Sequence, residues 1–447
     1  MSRVLAVQVR RFGLPGATVL LVAGATLLYA VRWEWAAGWM SLVTSQRSYL
    51  MLSCPVAIGV GAWLARREHR AGVAELFAGT PRPRRQRVLL SMAAVAGAVG
   101  VAQVAVLVVT GLWIASTARY LPGEAVAAAG VGVLAVITSA WIGMALGRLA
   151  PTAVTAPVLA VAGFGAMLAL PMAFHEDRLS TLASPAWGMN QFIEYQTVPL
   201  RASAAQAVLA AGVAVAAVVL LAAGRWRTRA AALLPLVLGV ALGVAVMPRD
   251  YDRVTIDPVA QQQVCTGDAP RVCVARVHAG LLDEVTPYAR EALALLAKLP
   301  DPPTSAVENT NVYLDEKSVI RYGADTVPFD VRVGDDGHVE HPEFVLTRML
   351  ESGGATSAGC PDGFDVPAAM AAGAWLSGRR PVRDPDAGGY VVEPGETPPP
   401  SDEVEAARLW EGLRELPEAE ALARVVAVRQ AALTCGDTRG VLERGVR

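Results

Sequence analysis

The chain has 447 residues, of which 53% are hydrophobic, and its mean hydropathy is +0.40. Ordinary soluble proteins contain roughly 45–50% apolar residues, so this composition argues against a chain that is soluble throughout. The formal net charge of −1 conceals two regions of opposite sign, because residues 1–247 carry 19 Lys and Arg against 7 Asp and Glu, whereas residues 248–447 carry 20 against 33. Two domains in different solvents are therefore expected.

Apolar stretches in the first region are long enough to cross a bilayer as helices. A helix needs about 20 apolar residues to span the hydrocarbon core, where it satisfies its own backbone hydrogen bonds. The predicted spans are residues 12–31, 49–65, 88–116, 125–147, 154–174, 204–224 and 230–247. The first is full length and has no A-x-A-like cleavage site, so we interpret it as a retained span. We expect an all-α polytopic membrane domain over residues 1–247.

The arginines between the spans predict how the domain is oriented. If the N-terminus is cytoplasmic, the inner segments hold 14 Arg. The outer loops before residue 248 then hold five, which are Arg32, Arg47, Arg119, Arg178 and Arg201. Cytoplasmic loops usually carry the excess of basic residues, so a cytoplasmic N-terminus in the plasma membrane is favoured. Seven crossings then place residues 248–447 outside the cell.

Small residues recur within the spans, in GVGAW (59–63), AGAVG (96–100) and GMALG (143–147). Such residues allow helices to approach closely, although an Ala- and Gly-rich chain also produces these stretches by chance. The interiors of the predicted spans contain essentially no ionisable residues. Ion-coupled transporters generally need such groups at membrane depth, so their absence counts against a secondary transporter.

The second region predicts a small α+β domain. RVCVARV (271–277) alternates as a strand does, and residues 311–322 and 328–333 are further candidate strands. Amphipathic or apolar helices are predicted over residues 281–299, 365–378, 401–413 and 418–433, and residues 378–401 form a Pro- and Gly-rich loop.

Four of the five cysteines lie in this second region, as expected of an extracytoplasmic domain with two disulfides. Three pairings are possible. We favour Cys265–Cys273, which bracket a short turn, and Cys360–Cys435. A metal site is the weaker interpretation because no C-x-x-C pair is present, and Cys54 is expected to be a small buried residue within a span.

Motifs for catalysis are weak. A phosphate-binding P-loop needs Gly-Lys-Ser/Thr, and neither Lys298 nor Lys317 follows a glycine. His338, Glu340 and His341 form H-x-E-H, which differs from the helical H-E-x-x-H of metalloproteases, so a solvated loop is favoured over a metal site. No G-x-S-x-G occurs. We expect neither an enzyme nor a cofactor, and any ATP hydrolysis would come from a partner.

The basic segment at residues 66–87 carries seven arginines. Val73, Leu76 and Phe77 follow i, i+3, i+4 spacing and form an apolar stripe on a helix that Pro81 ends. Such a helix would lie along the cytoplasmic interface. Periodicity alone leaves two interpretations open, an anchor to anionic lipid headgroups and a docking surface for a partner protein.

This segment, RREHRAGVAELFAGTPRPRRQRVLLS, resembles the one that follows the second span of type-2 ABC exporter permeases. The resemblance implies that it is a coupling helix in a groove of the ATPase subunit. The coupling residues implied are Glu68, Arg70, Gly72, Glu75, Leu76, Phe77, Thr80, Pro81 and Arg82, with Arg84 as an alternative to Arg82.

The resemblance extends to a basic start at residues 1–11, six spans and a long outer loop at residues 175–202. Two features depart from the usual permease, namely a seventh span and an outer domain, residues 248–447, as in actinobacterial permease-like proteins with such a tail. The partners implied are an ABC ATPase, the lipid bilayer and a second permease in a homodimer or heterodimer, with no nucleic acid. A membrane-anchored sensor or interaction protein, and less so a surface hydrolase, remain the alternatives.

Overall fold

A computed structural model of the protein describes residues 14–70, 84–186, 188–189, 194–250, 255–311, 320, 322–355, 365–382 and 402–443. The chain divides into two compact units. Unit 1 comprises Met1–Ser116 and Leu121–Asp257, and unit 2 comprises Thr117–Tyr120 and Pro258–Arg447. Unit 1 contains the long apolar helices, and unit 2 contains a four-stranded sheet.

Unit 1 is helical, which is how apolar segments satisfy their backbone polar groups without water. In chain order the helices are α1 (Leu14–Ala30), α2 (Arg32–Trp35), α3 (Trp39–Ser48), α4 (Leu50–Arg70), α5 (Arg84–Ile114), α6 (Gly123–Leu149), α7 (Thr155–Met172), α8 (Asp177–Ala183), α9 (Leu200–Ala222), α10 (Trp226–Ala230) and α11 (Leu233–Val246). One apolar cluster joins α4, α5, α6 and α9, and its fully buried members include Leu50, Ala57 and Val136.

Each of the seven predicted spans coincides with a helix or a helix pair. Five stretches among the described residues are long and apolar enough to cross a membrane, and these are Val88–Ile114, Gly123–Leu149, Thr155–Met172, Leu200–Ala222 and Trp226–Val246. The helices α3 and α4, which bend by 51° at their junction, together make a sixth. The predicted helical membrane domain is therefore supported in kind, while the number of seven crossings stays a prediction.

Glycines bring α4 and α6 into backbone contact. A Cβ placed on Gly61 would lie 2.1 Å from the carbonyl oxygen of Ala140, and one on Gly147 would lie 2.6 Å from Cα of Ala62. Two of the small-residue stretches therefore do pack helices together. The third does so in part: Gly97 has no heavy atom within 4 Å of its Cβ position, whereas Gly100 lies 3.2 Å from Ile137.

Unit 2 is an α+β arrangement. Its strands are β1 (Gln263–Cys265), β2 (Arg271–Ala275), β3 (Ser305–Glu308) and β4 (Thr326–Phe329), in the order β1-β2-β3-β4. The first two are antiparallel, with Cys265 opposite Cys273, whereas β2, β3 and β4 run parallel. The α-helices are α12 (Leu282–Leu296), α13 (Glu343–Leu350), α14 (Val366–Ser377), α15 (Asp402–Glu415) and α16 (Glu418–Leu433), and 3₁₀ turns span Arg276–Leu281 and Glu351–Gly353.

The core of unit 2 lies between the sheet and these helices. Its fully buried members include Val274 of β2, Ala306 of β3, Val285 of α12, Met349 of α13 and Val425 of α16. The parallel pairing of β2 and β3 requires a crossover connection, which the 3₁₀ turn and α12 provide. The amphipathic pattern of α12 is therefore explained by the sheet that its apolar face covers.

The elements predicted for this unit agree with the structure where the pattern is long. The strand at 271–277 and the helices at 281–299, 365–378, 401–413 and 418–433 are confirmed within a few residues. The candidate strand at 328–333 overlaps only the end of β4. The candidate strand at 311–322 and the loop at 378–401 lie mostly outside the described residues.

Candidate functional site

The basic segment begins inside α4. This helix continues without a break from Leu50 to Arg70, so the predicted coupling residues Glu68 and Arg70 lie on its last turn. The other predicted coupling residues lie outside the described residues, and these are Gly72, Glu75, Leu76, Phe77, Thr80, Pro81 and Arg82. What the structure establishes is therefore the element that leads into the segment, and this element is α4.

The helix that leads into the basic segment is closely packed along its length. On α6, a Cβ placed on Gly143 would lie 2.0 Å from the carbonyl oxygen of Ile58 of α4. On the side of α7, a Cβ on Gly59 would lie 3.2 Å from the Cβ of Ala160. Because backbones in contact have little room to slide independently, a displacement of α4 would also displace its neighbours.

A second candidate site is a polar cluster in unit 1 that the sequence analysis does not anticipate. Arg47, assigned there to an outer loop, lies near the end of α3 and is 0% exposed. Its Nε and Nη2 donate to the carbonyl oxygen of Pro185 at 3.0 and 2.8 Å. Its Nη2 also donates to Oε1 of Gln206 at 2.6 Å. The guanidinium group therefore joins α3 to the segment after α8 and to α9, and the loop assignment is wrong.

The amide of Gln206 extends this connection. Its Nε2 donates to the carbonyl oxygen of Thr181 on α8 at 2.7 Å. Each of these bonds joins residues more than 20 positions apart in the sequence. Hydrogen bonds to a buried charged group each contribute about 1.5–3 kcal/mol, so this network is a major determinant of how α3, α8 and α9 pack.

Gln46, the residue before Arg47, is buried in the same region. It is 3% exposed, and in the described part of the chain neither Nε2 nor Oε1 has a hydrogen-bond partner. A buried polar group without a partner costs about 1–3 kcal/mol. Ser203 Oγ, three residues before Gln206 on α9, is also buried without a partner among the described residues. Native proteins retain such groups chiefly where they serve a function.

A third cluster lies in unit 2, beyond the carboxyl ends of the parallel strands. His278 Nδ1 lies 2.6 Å from Oε1 of Glu308, and both side chains are 0% exposed. Oε2 of Glu308 accepts the backbone N–H of Ala275 at 2.7 Å. Because Glu308 ends β3 and Ala275 ends β2, this carboxylate holds together the ends of two neighbouring strands.

The adjacent strand end carries a partly buried acid. Asn309 Nδ2 donates to Oδ1 of Asp330 at 3.2 Å. Burial raises the pKa of the Asp330 carboxyl, and the hydrogen bond from Asn309 and the charges of Arg348 and Arg332 oppose that rise. A cavity of about 20 Å³ beside Asp330 is lined by Arg332, Val339, Glu340, His341, Phe344, Val345 and Arg348. This volume is enough for about one water molecule.

The H-x-E-H residues point to different partners. His338 Nδ1 lies 2.7 Å from Oε1 of Glu284 on α12, whereas His341 Nδ1 lies 3.3 Å from Oε1 of Glu343. Glu284 also accepts the backbone N–H of Val339 at 3.0 Å. The described residues contain no group of three His, Cys, Asp or Glu arranged to hold a metal ion.

The cysteines agree with the predicted disulfide framework as far as they are described. Cys265 and Cys273 form a disulfide that closes the β1–β2 hairpin. Cys435 is disulfide-bonded, and Cys360, its predicted partner, lies outside the described residues. Cys54 is a free, buried thiol on α4, as expected. A disulfide in unit 2 is compatible with an oxidising, extracytoplasmic environment.

Comparison of the chain with protein-family models, curated proteins and solved structures finds no match. The functional assignment therefore depends on the residues of the basic segment, the helix that leads into it and the buried polar cluster of unit 1. These features define a polytopic helical membrane protein with a disulfide-bonded α+β unit.

Proposed function

We propose that this chain is the transmembrane permease subunit of an ATP-binding-cassette exporter, driven by a separate ATPase subunit. Unit 1 supplies the membrane-spanning helices and works as a pair with a second copy or a related permease. The segment at residues 66–87 faces the cytoplasm and docks on the ATPase. Unit 2 lies on the outer side, where its disulfides are stable.

The observation that carries this proposal is the continuity of α4. The helix runs from its glycine contacts with α6 to Arg70 inside the basic segment. Movement of the segment by nucleotide-driven closure of the ATPase would therefore be passed to α4 and, through backbone contact, to α6. A ligand shifts an equilibrium between conformations only through its difference in affinity for them, and nucleotide binding in the partner would supply that difference.

The proposal also accounts for the two charges of the chain. The arginines of the basic segment suit a cytoplasmic position beside spanning helices, whereas unit 2 belongs to the acidic half of the sequence. The absence of a P-loop in the sequence assigns ATP hydrolysis to the partner.

The decisive experiment is co-purification of the tagged full-length chain from its own membranes, followed by mass spectrometry and an ATPase assay. We expect a P-loop ATPase at about equal stoichiometry. Because removing a central docking contact commonly costs 2 kcal/mol or more, the double variant Glu75→Arg/Leu76→Ala should reduce the bound ATPase by about tenfold or more.

A matched control is Leu121→Ala/Glu124→Arg, which makes the same two changes between α5 and α6, at the end of the helices that the proposed topology places outside. This variant should retain the ATPase. If no ATPase co-purifies, or if both double variants retain it equally, the permease assignment is wrong. A membrane-anchored interaction protein then becomes the better description.

A further inference from the structure

We propose that the polar cluster around Arg47 is a binding site for an oxyanion, of the phosphate class, within the membrane unit. The inference deepens the proposed function, on which the description of this anion as part of the cargo rests. The binding site itself depends on unit 1 and not on the ATPase.

The first argument is the positive charge. Arg47 is completely buried, in a unit whose surface carries the apolar side chains of spanning helices. A guanidinium group presents several N–H donors in one plane and matches the oxygens of phosphate or carboxylate, and its attraction for an anion increases in a medium of low dielectric constant. Pro185 and Gln206 already hold this group in place. It therefore supplies a fixed charge rather than a mobile one.

The second argument is independent of the first. Gln46 is buried beside Arg47, and in the described part of the chain its amide makes no hydrogen bond. Ser203 has a buried hydroxyl in the same condition, on the face of α9 that carries Gln206. An amide and a hydroxyl that both have donors to offer, next to a positive charge, are suited to bind oxygens of an anion.

The third argument concerns space. Gly132 of α6 faces both side chains, because a Cβ placed on it would lie 3.7 Å from Cγ of Arg47 and 3.7 Å from Oε1 of Gln46. A methyl group would fit there at ordinary contact distance, whereas a longer side chain would extend into the space that Gln46 and Arg47 share. The glycine thus keeps the polar groups accessible from the side of α6.

The test measures the unfolding midpoint of the full-length chain in a neutral detergent, with inorganic phosphate or with chloride at equal ionic strength. A parallel pair of samples compares phosphatidylglycerol with phosphatidylcholine. A ligand that binds only the folded state raises the midpoint, and we expect a rise of about 2 °C or more with phosphate, with phosphatidylglycerol or with both. A rise with phosphate identifies a free oxyanion as sufficient, and a rise confined to phosphatidylglycerol identifies a lipid headgroup.

Three variants assign the effect to the site. Gly132→Leu fills the space beside Gln46 and should abolish the rise. Gln206→Glu places a carboxylate against Arg47 and should also abolish it, because the fixed charge is then neutralised within the protein. Arg47→Gln should abolish it if the variant folds, and the other two variants keep the test decisive if it does not.

The matched controls are Gly130→Leu and Arg201→Gln. Gly130 is on α6, with no heavy atom within 4 Å of its Cβ position, and Arg201 is an exposed arginine on α9. Both should keep the full rise. The proposal is overturned if neither anion stabilises the wild-type chain, or if the rise is the same in all variants, which would assign it to exposed basic residues. Either result leaves the ATPase co-purification unaffected, so the two proposals fail separately.

Discussion

Gly143 of α6 lies directly against the backbone of Ile58 of α4, and a Cβ on Gly143 would be 2.0 Å from the carbonyl oxygen of Ile58. A side chain at this position must push the two helices apart. Gly143→Val should therefore lower the free energy of unfolding by about 3 kcal/mol, at the upper end of the range for overpacked sites. Thermal unfolding of the purified chain in detergent measures the change.

The control for this variant is Gly97→Val on α5, where no heavy atom lies within 4 Å of the Cβ position. It introduces the same side chain into a helix of the same unit, so it reports any effect of valine on helix propensity alone. Equal unfolding midpoints for the two variants would show that the contact between α4 and α6 does not stabilise the protein.

The contact between His338 and Glu284 predicts a dependence of stability on pH. The hydrogen bond to Glu284 raises the pKa of His338 above its ordinary value of 6.5, with a small opposing effect of burial and further increases from the charges of Glu284 and Asp336. The folded protein therefore holds this proton more tightly than the unfolded chain does. The pair stabilises the fold fully below about pH 6.5, and this contribution is lost as the pH rises through the higher pKa of the folded state.

His338→Gln should remove this part of the pH dependence, measured as the unfolding midpoint between about pH 5.5 and about pH 8.5. Because the imidazole is about half exposed, the effect is small, as for other exposed ion pairs. Glu343→Gln is the control, since it leaves both atoms of the His338–Glu284 contact in place. A pH profile unchanged by His338→Gln would exclude the pair as its source.

The buried pair of His278 and Glu308 predicts a much larger effect. Glu308→Ala leaves the N–H of Ala275 and the ring of His278 without their carboxylate, and breaking a buried pair in this way costs about 3–5 kcal/mol. Glu308→Gln keeps one acceptor oxygen and should cost less. Glu291→Ala, which removes an exposed carboxylate 3.5 Å from Arg379, should change stability by no more than about 0.5 kcal/mol.

Hydrogen exchange of the β2 and β3 amides in the full-length chain is a suitable measurement, because it reports local opening of these strands. Faster exchange in Glu308→Ala than in Glu291→Ala is the expected result. Equal rates would show that the pair does not hold the strand ends together.

The disulfide of unit 2 provides a test of the proposed topology. In intact cells, a thiol reagent that cannot cross membranes should label Cys265 and Cys273 only after treatment with a reductant. Replacing both by serine should abolish this labelling at the hairpin and lower stability by about 2–4 kcal/mol, as for other natural disulfides. Labelling that requires permeabilised cells would place unit 2 in the cytoplasm. Cys54→Ser is the control, because that buried thiol is not expected to react.

The sequence predicts the regular helices well and the short or polar elements poorly. α16 is found because its apolar residues recur at helical spacing over 16 residues. β3 is missed because Ser305–Glu308 is four residues long and follows two prolines, so it shows no pattern of its own. Its burial comes from the neighbouring strands β2 and β4, which only the tertiary structure brings together.

The same reason explains why Arg47 is missed. The sequence WMSLVTSQRS of α3 reads as polar, yet Met40–Arg47 are all buried. A helix inside a membrane protein is surrounded by other helices and not by lipid, so its side chains follow the needs of the interior. A break in hydropathy before a span, followed by an arginine and a glutamine, is the signal that a search for such sites should use.

The 51° bend between α3 and α4 has a mechanical consequence. Both helices contact α6, the first near Gly132 and the second near Gly143, about two to three helical turns apart. Rotation of the long arm about the bend would change the gap between the short arm and α6 in the opposite sense. A push at Arg70 and a change in grip around Gln46 would then be two ends of one seesaw, with its fulcrum at Tyr49.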